Sequence, residues 1–162
     1  MKPLIAIAML ALASCSPQTT PVPEDTMPEG SVPDLDGHFG FGSLTVINDN
    51  GEEFDFVVYL ATGFEQQRRG LMFVREMPER TGMLFVYDDE AIRSMWMKNT
   101  YIPLDMVFAR ADGTVTNVIA DTVPQTLTSN VSSEPVRFVL ELNAGVSRRL
   151  HIGTGSRLLW EE

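Results

Sequence analysis

Residues 82–109 read GMLFVYDDEAIRSMWMKNTYIPLDMVFA, and this stretch decides the fold. Its apolar residues are mostly β-branched, aromatic or methionine, and they stand in short runs rather than at the spacing of a helix face. The acidic pair Asp88 and Asp89 breaks the first run, and Asn99 and Pro103 break the second. Short runs bounded by turn-forming residues are typical of strands. The stretch therefore predicts three consecutive strands, at residues 82–87, 93–98 and 104–109.

Similar strand patterns flank this stretch on both sides. The sequence Asn48-Asp49-Asn50-Gly51 has strong hairpin-turn chemistry and predicts a pair of strands around it. A second turn, which ends at Gly113, separates residues 104–109 from the next apolar run. The further strands are expected at residues 44–47, 54–60, 115–120, 136–142 and 157–160. Seven or eight short strands predict a mainly β fold, a compact jelly-roll-like sandwich or partly closed barrel with one or two short helices.

Two short helices are predicted between these strands. Thr62 and Glu65 have the spacing of a capping box, so the first helix is expected to start at Thr62. Its apolar residues Phe64 and Leu71 are expected to point into the core. Asn143 is expected to cap the second helix, after the strand at residues 136–142.

The N-terminal end has the features of a secretion signal. Lys2 precedes an apolar segment that is too short for a permanent membrane span. The ending Leu12-Ala13-Ser14-Cys15 resembles the lipobox of bacterial lipoproteins, which implies cleavage before Cys15 and lipid attachment to it. Residues 1–14 are therefore expected to be a signal peptide. Because Ser16 rather than Asp follows the cysteine, the resemblance also implies the outer membrane.

Residues 15–42 are predicted to be the lipidated cysteine and a disordered tether. This segment is rich in Pro, Gly and acidic residues and contains no Lys or Arg, so it offers little apolar surface to bury. Residues 43–162 are predicted to form a single globular β-rich domain. We therefore expect a protein on the periplasmic side of the bacterial envelope, anchored to the membrane through Cys15.

Composition excludes several classes of function. The net charge of −10 argues against nucleic-acid binding, which needs clustered Lys and Arg. With Cys15 as the anchor, the mature chain has no thiol for a disulfide or a nucleophile. His151 is the only histidine of the predicted domain, which excludes a histidine-rich metal site. We therefore expect no metal site and no cofactor.

Several ordered sequence blocks carry a resemblance to a known family. They are Gly70-Leu71-Met72-Phe73, Gly82-Met83-Leu84-Phe85, Trp96-Met97-Lys98-Asn99-Thr100, Ile102-Pro103-Leu104-Asp105 and Val139-Leu140-Glu141 through Gly145. In this order and spacing they resemble the signature of the domain of unknown function 192 family. The resemblance implies a mainly β, jelly-roll-like fold and assigns no activity.

Lys98 is the most unusual polar residue of the predicted domain, because it is its only lysine beside ten arginines. An ammonium at this position can act as a base, a nucleophile or a point charge, which arginine does not do readily. The alternative is a lysine at a strand end, with its stem over Trp96 and its head in water. If Trp96 pairs with Asp105 across a hairpin, then Trp96, Lys98 and Asp105 share one face of the sheet.

The polar neighbours of Lys98 are open to two interpretations as well. Asn99 and Thr100 either offer polar groups to a ligand or only satisfy the backbone of a turn. Arg68 lies on the predicted helix, facing either solvent or an anion site. Glu141 stands in an apolar strand, where it is either buried with an arginine partner or exposed.

Two hypotheses of function remain. In the first, a membrane-tethered binding or interaction domain uses Trp96, Lys98, Asn99, Thr100, Asp105 and Arg68, together with the loop 126–133, to hold an envelope component or a small polar ligand. In the second, an envelope-directed hydrolase or lyase uses Lys98 as the base and Asp105 as its partner. A deep pocket with a desolvated Lys98 would favour the enzyme, and an open surface would favour binding.

Overall fold

The computed structural model describes residues 32–160, which form a mainly β domain. Residues 1–31 lie outside the described residues, and with them the predicted signal peptide and the expected lipidation site Cys15. Within residues 32–160, no helix is long and apolar enough to span a membrane. The elements in chain order are β1 (Gly40–Ile47), β2 (Glu53–Ala61), α1 (Phe64–Arg69), β3 (Thr81–Ala91), β4 (Ser94–Met95), β5 (Leu104–Ala109), β6 (Val115–Ile119), β7 (Asn130–Val131), β8 (Val136–Asn143), α2 (Val146–Arg149) and β9 (Arg157–Leu159).

Seven of the strands form one nearly closed, barrel-like sheet in the order β6-β5-β8-β3-β2-β1-β9. Neighbouring strands are antiparallel except β2 and β3, which run parallel and are connected through α1. The two edges approach each other where Thr114 bridges Arg157 and the Leu158 amide donates to the Gly113 carbonyl at 2.8 Å. The sequence-based prediction of a mainly β, partly closed fold is therefore confirmed.

Gly113 permits this close approach of the two edges. Its φ is +82°, and a Cβ atom there would lie 2.1 Å from the Leu158 carbonyl oxygen. The turn that contains it was predicted, and its amide donates to the Arg110 carbonyl at 2.9 Å. Only glycine fits both the left-handed backbone and the contact with β9.

Both faces of the sheet are buried along the central strands β3, β5 and β8, which explains their continuous apolar runs. One face encloses what we call the barrel core, which includes Phe56, Leu84, Val107 and Leu140. The opposite face carries the outer core, which is covered by loops and by the chain before β1. Its large members include Tyr59, Phe85, Met97, Met106 and Phe108. Every residue of β5 is consequently buried, whichever way its side chain points.

Residues 32–39, here called the N-terminal segment, belong to the folded domain. Val32, Leu35 and Phe39 are buried in the outer core. The Tyr59 hydroxyl accepts a hydrogen bond from the Val32 amide at 2.6 Å and donates to Asp36 at 2.8 Å. The predicted tether of residues 15–42 therefore includes residues that belong to the folded domain. Its composition is that of a loop, but three spaced apolar residues within it pack on β2.

The central stretch folds differently from the predicted hairpin. The strand expected at residues 93–98 is only Ser94–Met95, and it pairs with β7 in a separate two-stranded sheet. β5 pairs instead with β6 and β8. The chain turns after Met97, which is fully buried in the outer core, and Asn99 has a φ of +55°. The pairing of Trp96 with Asp105 was therefore wrong.

The first helix is shorter than predicted and begins at Phe64, two residues after the expected start at Thr62. Gly63 is its N-cap, and Gln66 rather than Glu65 reaches back, with its Oε1 accepting from the Gly63 amide at 3.1 Å. Phe64 is 76% exposed, so its inward orientation was wrong, whereas the burial of Leu71 is confirmed.

The second helix is also capped by a different residue. Gly145 is its N-cap, whereas Asn143 ends β8 and donates its amide to the Met77 carbonyl at 2.8 Å. The predicted cap at Asn143 was therefore wrong, because this side chain ties β8 to the loop before β3.

Candidate functional site

A cleft opens between α1 with the turn that follows it and residues 94–100. Its inner part, the inner pocket, has a volume of about 170 Å³ and reaches from Arg68, Trp96 and Lys98 down to Tyr87 and Glu141. Its outer part, the outer groove, has a volume of about 520 Å³. The two parts share Arg68, Arg69, Met72, Trp96 and Lys98, so they form one continuous cleft.

Two turns, each with one residue in the left-handed backbone conformation, connect the walls of the cleft. Phe73 has a φ of +72° and Asn99 one of +55°, and the Phe73 amide donates to the Asn99 carbonyl at 2.9 Å. Such conformations are costly for residues with side chains and cluster at functional sites. Both residues line the outer groove. The backbone strain therefore coincides with the cleft.

Three cations stand around the mouth of the cleft. Arg68 forms an exposed ion pair with Glu65 at 2.7 Å. A terminal nitrogen of Arg69 donates to the Asp34 carbonyl at 2.9 Å, while its Nε is buried and has no hydrogen-bond partner in the structure. The Lys98 Nζ lies 5.6 Å from the ring centroid of Trp96, which is 51% exposed. No salt bridge to a described acidic residue involves Arg69 or Lys98.

The floor of the inner pocket contains a buried carboxyl group. Glu141 is 4% exposed and lies in the sheet between Met83 of β3 and Met106 of β5. Desolvation raises the pKa of Glu141 to about 8, so the group is mostly protonated at neutral pH. No hydrogen bond within residues 32–160 reaches its carboxyl oxygens. Neither interpretation from the sequence applies, since Glu141 is neither exposed nor paired with an arginine.

Tyr87 forms a wall of the inner pocket. Burial raises its pKa to about 12, so it carries its proton throughout the physiological range. Its hydroxyl donates to the Met95 Sδ at 3.6 Å, and the Arg93 guanidinium lies 3.9 Å from its ring centroid. The ring is thereby fixed between β3 and β4 and presents an apolar surface to the inner pocket.

The structure brings together most of the site residues that the sequence singled out. Arg68, Trp96, Lys98 and Thr100 line the inner pocket, and Asn99 joins three of them in the outer groove. Thr100 is buried, and its hydroxyl donates to the Lys98 carbonyl at 3.3 Å. Trp96 is the aromatic surface beside Lys98 that was expected, and it is the Lys98 Nζ that lies over its ring.

Asp105 does not belong to the cleft. It is fully buried on the barrel side of β5, where its carboxylate accepts from the Ser147 amide at 2.9 Å, the Ser147 hydroxyl at 2.6 Å and the Asp121 amide at 3.0 Å. These bonds dock α2 onto the sheet. The predicted shared face of Lys98 and Asp105 is therefore wrong, because the two residues do not lie in paired strands.

The loop 126–133 supports the cleft from behind and does not line it. Its Thr126 carbonyl accepts from the Met97 amide at 3.1 Å, and β7 within it pairs with β4. Sequence reasoning did not assign Arg69 or Glu141 to the site. The signal for Glu141 was a single acid in the apolar strand VRFVLELN, at a position whose partners on both neighbouring strands are methionines.

The chemistry of the cleft is that of ions and hydrogen bonds. Among the described residues, no group of three or more His, Cys, Asp or Glu could hold a metal ion. Cations at the mouth can bind an anionic group, Trp96 offers an aromatic face, and Glu141 can donate or release one proton.

Two solved structures resemble this chain closely. One is a Sinorhizobium meliloti protein proposed to be a transcription regulator, which is 40% identical with a TM-score of 0.73, over 75% of this chain and 94% of that chain. The other is a protein of unknown function from Novosphingobium aromaticivorans, which is 33% identical with a TM-score of 0.75, over 83% of this chain and 94% of that chain. No relative was found among curated proteins.

The family model that matches describes DUF192, an uncharacterized ACR, and it covers residues 45–160. This range extends from within β1 to the end of the described residues and includes both walls and the floor of the cleft. The chain therefore belongs to the DUF192 family.

Proposed function

We propose that this protein is a membrane-tethered, extracytoplasmic binding domain that holds a small organic anion in the cleft. The observation that carries the proposal is the group of three cations, Arg68, Arg69 and Lys98, around one concave site. The chain as a whole has a net charge of −10, so this local excess of positive charge is not a consequence of composition. A concave site with convergent charged groups is the usual form of a ligand site.

The hydrogen bonds of the cleft support an anionic ligand. The Arg69 Nε is a buried donor without a partner, and leaving such a donor unsatisfied is costly. The ion pair of Arg68 with Glu65 is exposed on both sides, so an incoming anion can compete with it at little cost. Lys98 is exposed and has no described acidic partner. An anion in the outer groove would lie beside the side chains of all three cations.

The side walls support an organic rather than an inorganic anion. Trp96 and Phe73 are exposed aromatic side chains of the outer groove, and Met72 lies between α1 and Phe73. Exposed aromatic rings beside polar groups are typical of sites that bind molecules with apolar parts.

The arrangement of Lys98 favours binding over the catalytic alternative. Its head is exposed rather than desolvated, and Asp105, its predicted partner, is bonded to Ser147 instead. A lysine base needs a desolvated site or a neighbouring group to lose its proton near neutral pH. The environment of Lys98 and Asp105 therefore favours a binding domain over a hydrolase or lyase.

The charge of this chain does not favour transcription regulation, the role proposed for the Sinorhizobium meliloti relative. A net charge of −10 disfavours association with DNA through a general basic surface. The three cations line a cleft rather than an extended surface.

The test uses pentanoate, an anion with a short apolar body, titrated into the protein and followed by the indole NMR signals. Trp96 lines the cleft, whereas Trp160 lies beside β9 and serves as the internal reference. We expect the Trp96 signal to shift with saturation and the Lys98→Met variant to bind roughly tenfold more weakly, as for one lost bond to a charged group.

The matched control is Arg157→Met, which removes the same charge from an exposed position on β9. We expect its affinity for pentanoate to match that of the unmodified protein. An equal loss of affinity in both variants, or no shift of the Trp96 signal with any concentration of pentanoate, would contradict the proposed function.

The membrane tether is supported by the lipobox-like ending at Cys15, and it has its own test. Attachment of several acyl chains gives stable anchoring. We expect the protein to incorporate labelled palmitate and to sediment with outer membranes, and the Cys15→Ser variant to do neither. Equal incorporation of label in both proteins would contradict the tether.

A further inference from the structure

Glu141 is a buried carboxyl group for which the surrounding protein provides no hydrogen-bond donor. It lies on the floor of the inner pocket between the side chains of Met83 and Met106, which offer no N–H or O–H group. Among residues 32–160, the Arg69 Nε is the fully buried polar side-chain atom without a hydrogen-bond partner, so the Glu141 oxygens are open to the pocket. A molecule that enters the pocket can therefore supply the donors that Glu141 lacks.

Three polar side chains that share the inner pocket are already engaged elsewhere. The Gln67 amide donates to the Val86 carbonyl at 2.8 Å, and the Thr100 hydroxyl donates to the Lys98 carbonyl. The Tyr87 hydroxyl donates to a methionine sulfur. Without breaking these bonds, none of these three groups can serve Glu141, whereas a molecule that enters the pocket can supply donors to it.

The charged groups around Glu141 leave it in the neutral form. Arg68, Arg69 and Lys98 line the cleft, and Tyr87 carries its proton. Desolvation is what raises the pKa of Glu141 to about 8 and keeps the carboxyl mostly protonated at neutral pH. The cations are therefore placed to meet a ligand at the mouth and not to neutralise the floor.

We propose that the inner pocket receives the primary amine of a ligand whose other end is the anion bound in the outer groove, with Glu141 as the counter-ion of the amine. This inference rests on the proposed function. An ammonium group brings three donors and a full charge, which suits a carboxylate better than a hydroxyl group with one donor. A ligand that carried only an amine would be repelled by the three cations at the mouth. The ligand class is therefore an amino acid with separated ends, or another molecule with an amine and an anionic group.

The proposed binding step has a simple proton balance. The ligand enters with its ammonium protonated, the neutral carboxyl of Glu141 loses its proton to solvent, and the ammonium then pairs with the carboxylate. No covalent bond of the ligand changes. Binding at neutral pH should consequently release close to one proton for each ligand bound.

The experiment compares pentanoate with 5-aminopentanoate, which differ only in the terminal amine. Affinities are measured from the Trp96 indole signal, with 4-aminobutanoate and 6-aminohexanoate to vary the length. Proton release is measured by pH-stat titration in unbuffered solution. We expect at least one amino acid of the series to bind tenfold or more tightly than pentanoate and to release a proton. In Glu141→Gln, we expect it to bind as weakly as pentanoate and to release none.

The outcomes separate this inference from the proposed function. If pentanoate binds and no amino acid of the series binds more tightly, the inference is overturned and the anion site stands. If the advantage of the amine persists in Glu141→Gln, another group holds the amine and the inference is again overturned. If neither pentanoate nor any member of the series binds, both proposals fail. An unchanged pentanoate affinity in Glu141→Gln shows that the variant retains the fold of the cleft.

Discussion

Replacing Glu141 by glutamine should remove a specific part of the pH dependence of stability. The pKa of this carboxyl is about 8 in the folded protein and 4.5 in its ordinary environment. Between these values the native state binds more protons than the unfolded state, so the free energy of unfolding falls as pH rises. The contribution is fully present below pH 4.5 and is lost as pH rises through about 8.

The magnitude follows from the same two pKa values. One pH unit over which the states differ by one proton corresponds to about 1.4 kcal/mol. Between pH 5 and pH 8 the two states differ by nearly one proton for most of the range, which gives a loss of about 3 to 4 kcal/mol. The loss is a large fraction of the stability of an ordinary domain, about 5–15 kcal/mol. It should therefore be measurable by denaturation.

The assay is urea unfolding at a series of pH values, followed by tryptophan fluorescence. Other groups titrate as well, so the informative quantity is the difference between the unmodified protein and Glu141→Gln at each pH. We expect the glutamine variant to gain stability relative to the unmodified protein as pH rises from 5 to 8. The control is Glu53→Gln, which makes the same substitution at an exposed position at the start of β2. Parallel curves for the unmodified protein and Glu141→Gln would refute the reasoning, because they would mean that Glu141 is ionised in the native state.

Three further predictions concern the fold. Gly113→Ala should lower the free energy of unfolding by more than about 3 kcal/mol, since its Cβ atom would collide with the carbonyl of β9. Gly51→Ala, with nearly the same φ but open space, should cost only about 1 kcal/mol in the same thermal unfolding assay, and equal losses would contradict the steric argument. Asp105→Asn should cost about 2 kcal/mol through its bonds to Ser147 but leave pentanoate binding unchanged, and a weakened affinity would place it in the site. Tyr59→Phe should speed amide hydrogen exchange in the N-terminal segment while β5 stays protected, whereas unchanged exchange would mean that the tyrosine hydroxyl does not hold the segment.

Part of the candidate site could be predicted from local sequence. Trp96, Lys98 and Asn99 are close neighbours in the chain, so any fold keeps them together, and their unusual chemistry indicated a site. Arg68 was found on the helix that forms the opposite wall. Glu141 was noticed as an acid in an apolar strand, but its place beneath these residues depends on the pairing of β8 with β3 and β5.

The errors have one physical origin. A short apolar run predicts a strand but does not identify its partner, because many pairings bury similar apolar area. The hairpin expected between residues 93–98 and 104–109 was one of these possible pairings. Because it does not form, Asp105 does not lie beside Lys98 as predicted. The N-terminal segment was missed because its loop-like composition hides the three apolar residues that anchor it.

The sequence by itself determined most of the elements, several of their turns and the membership of the DUF192 family, since these depend on residues close together in the chain or on their order. Only the tertiary structure decided which strands are neighbours, that Asp105 docks α2, and that Glu141 lies below three cations. The physical reason is that the sheet is nearly closed and is covered on both faces. Which charged side chain is buried, and what it meets, is therefore set by strands distant in sequence.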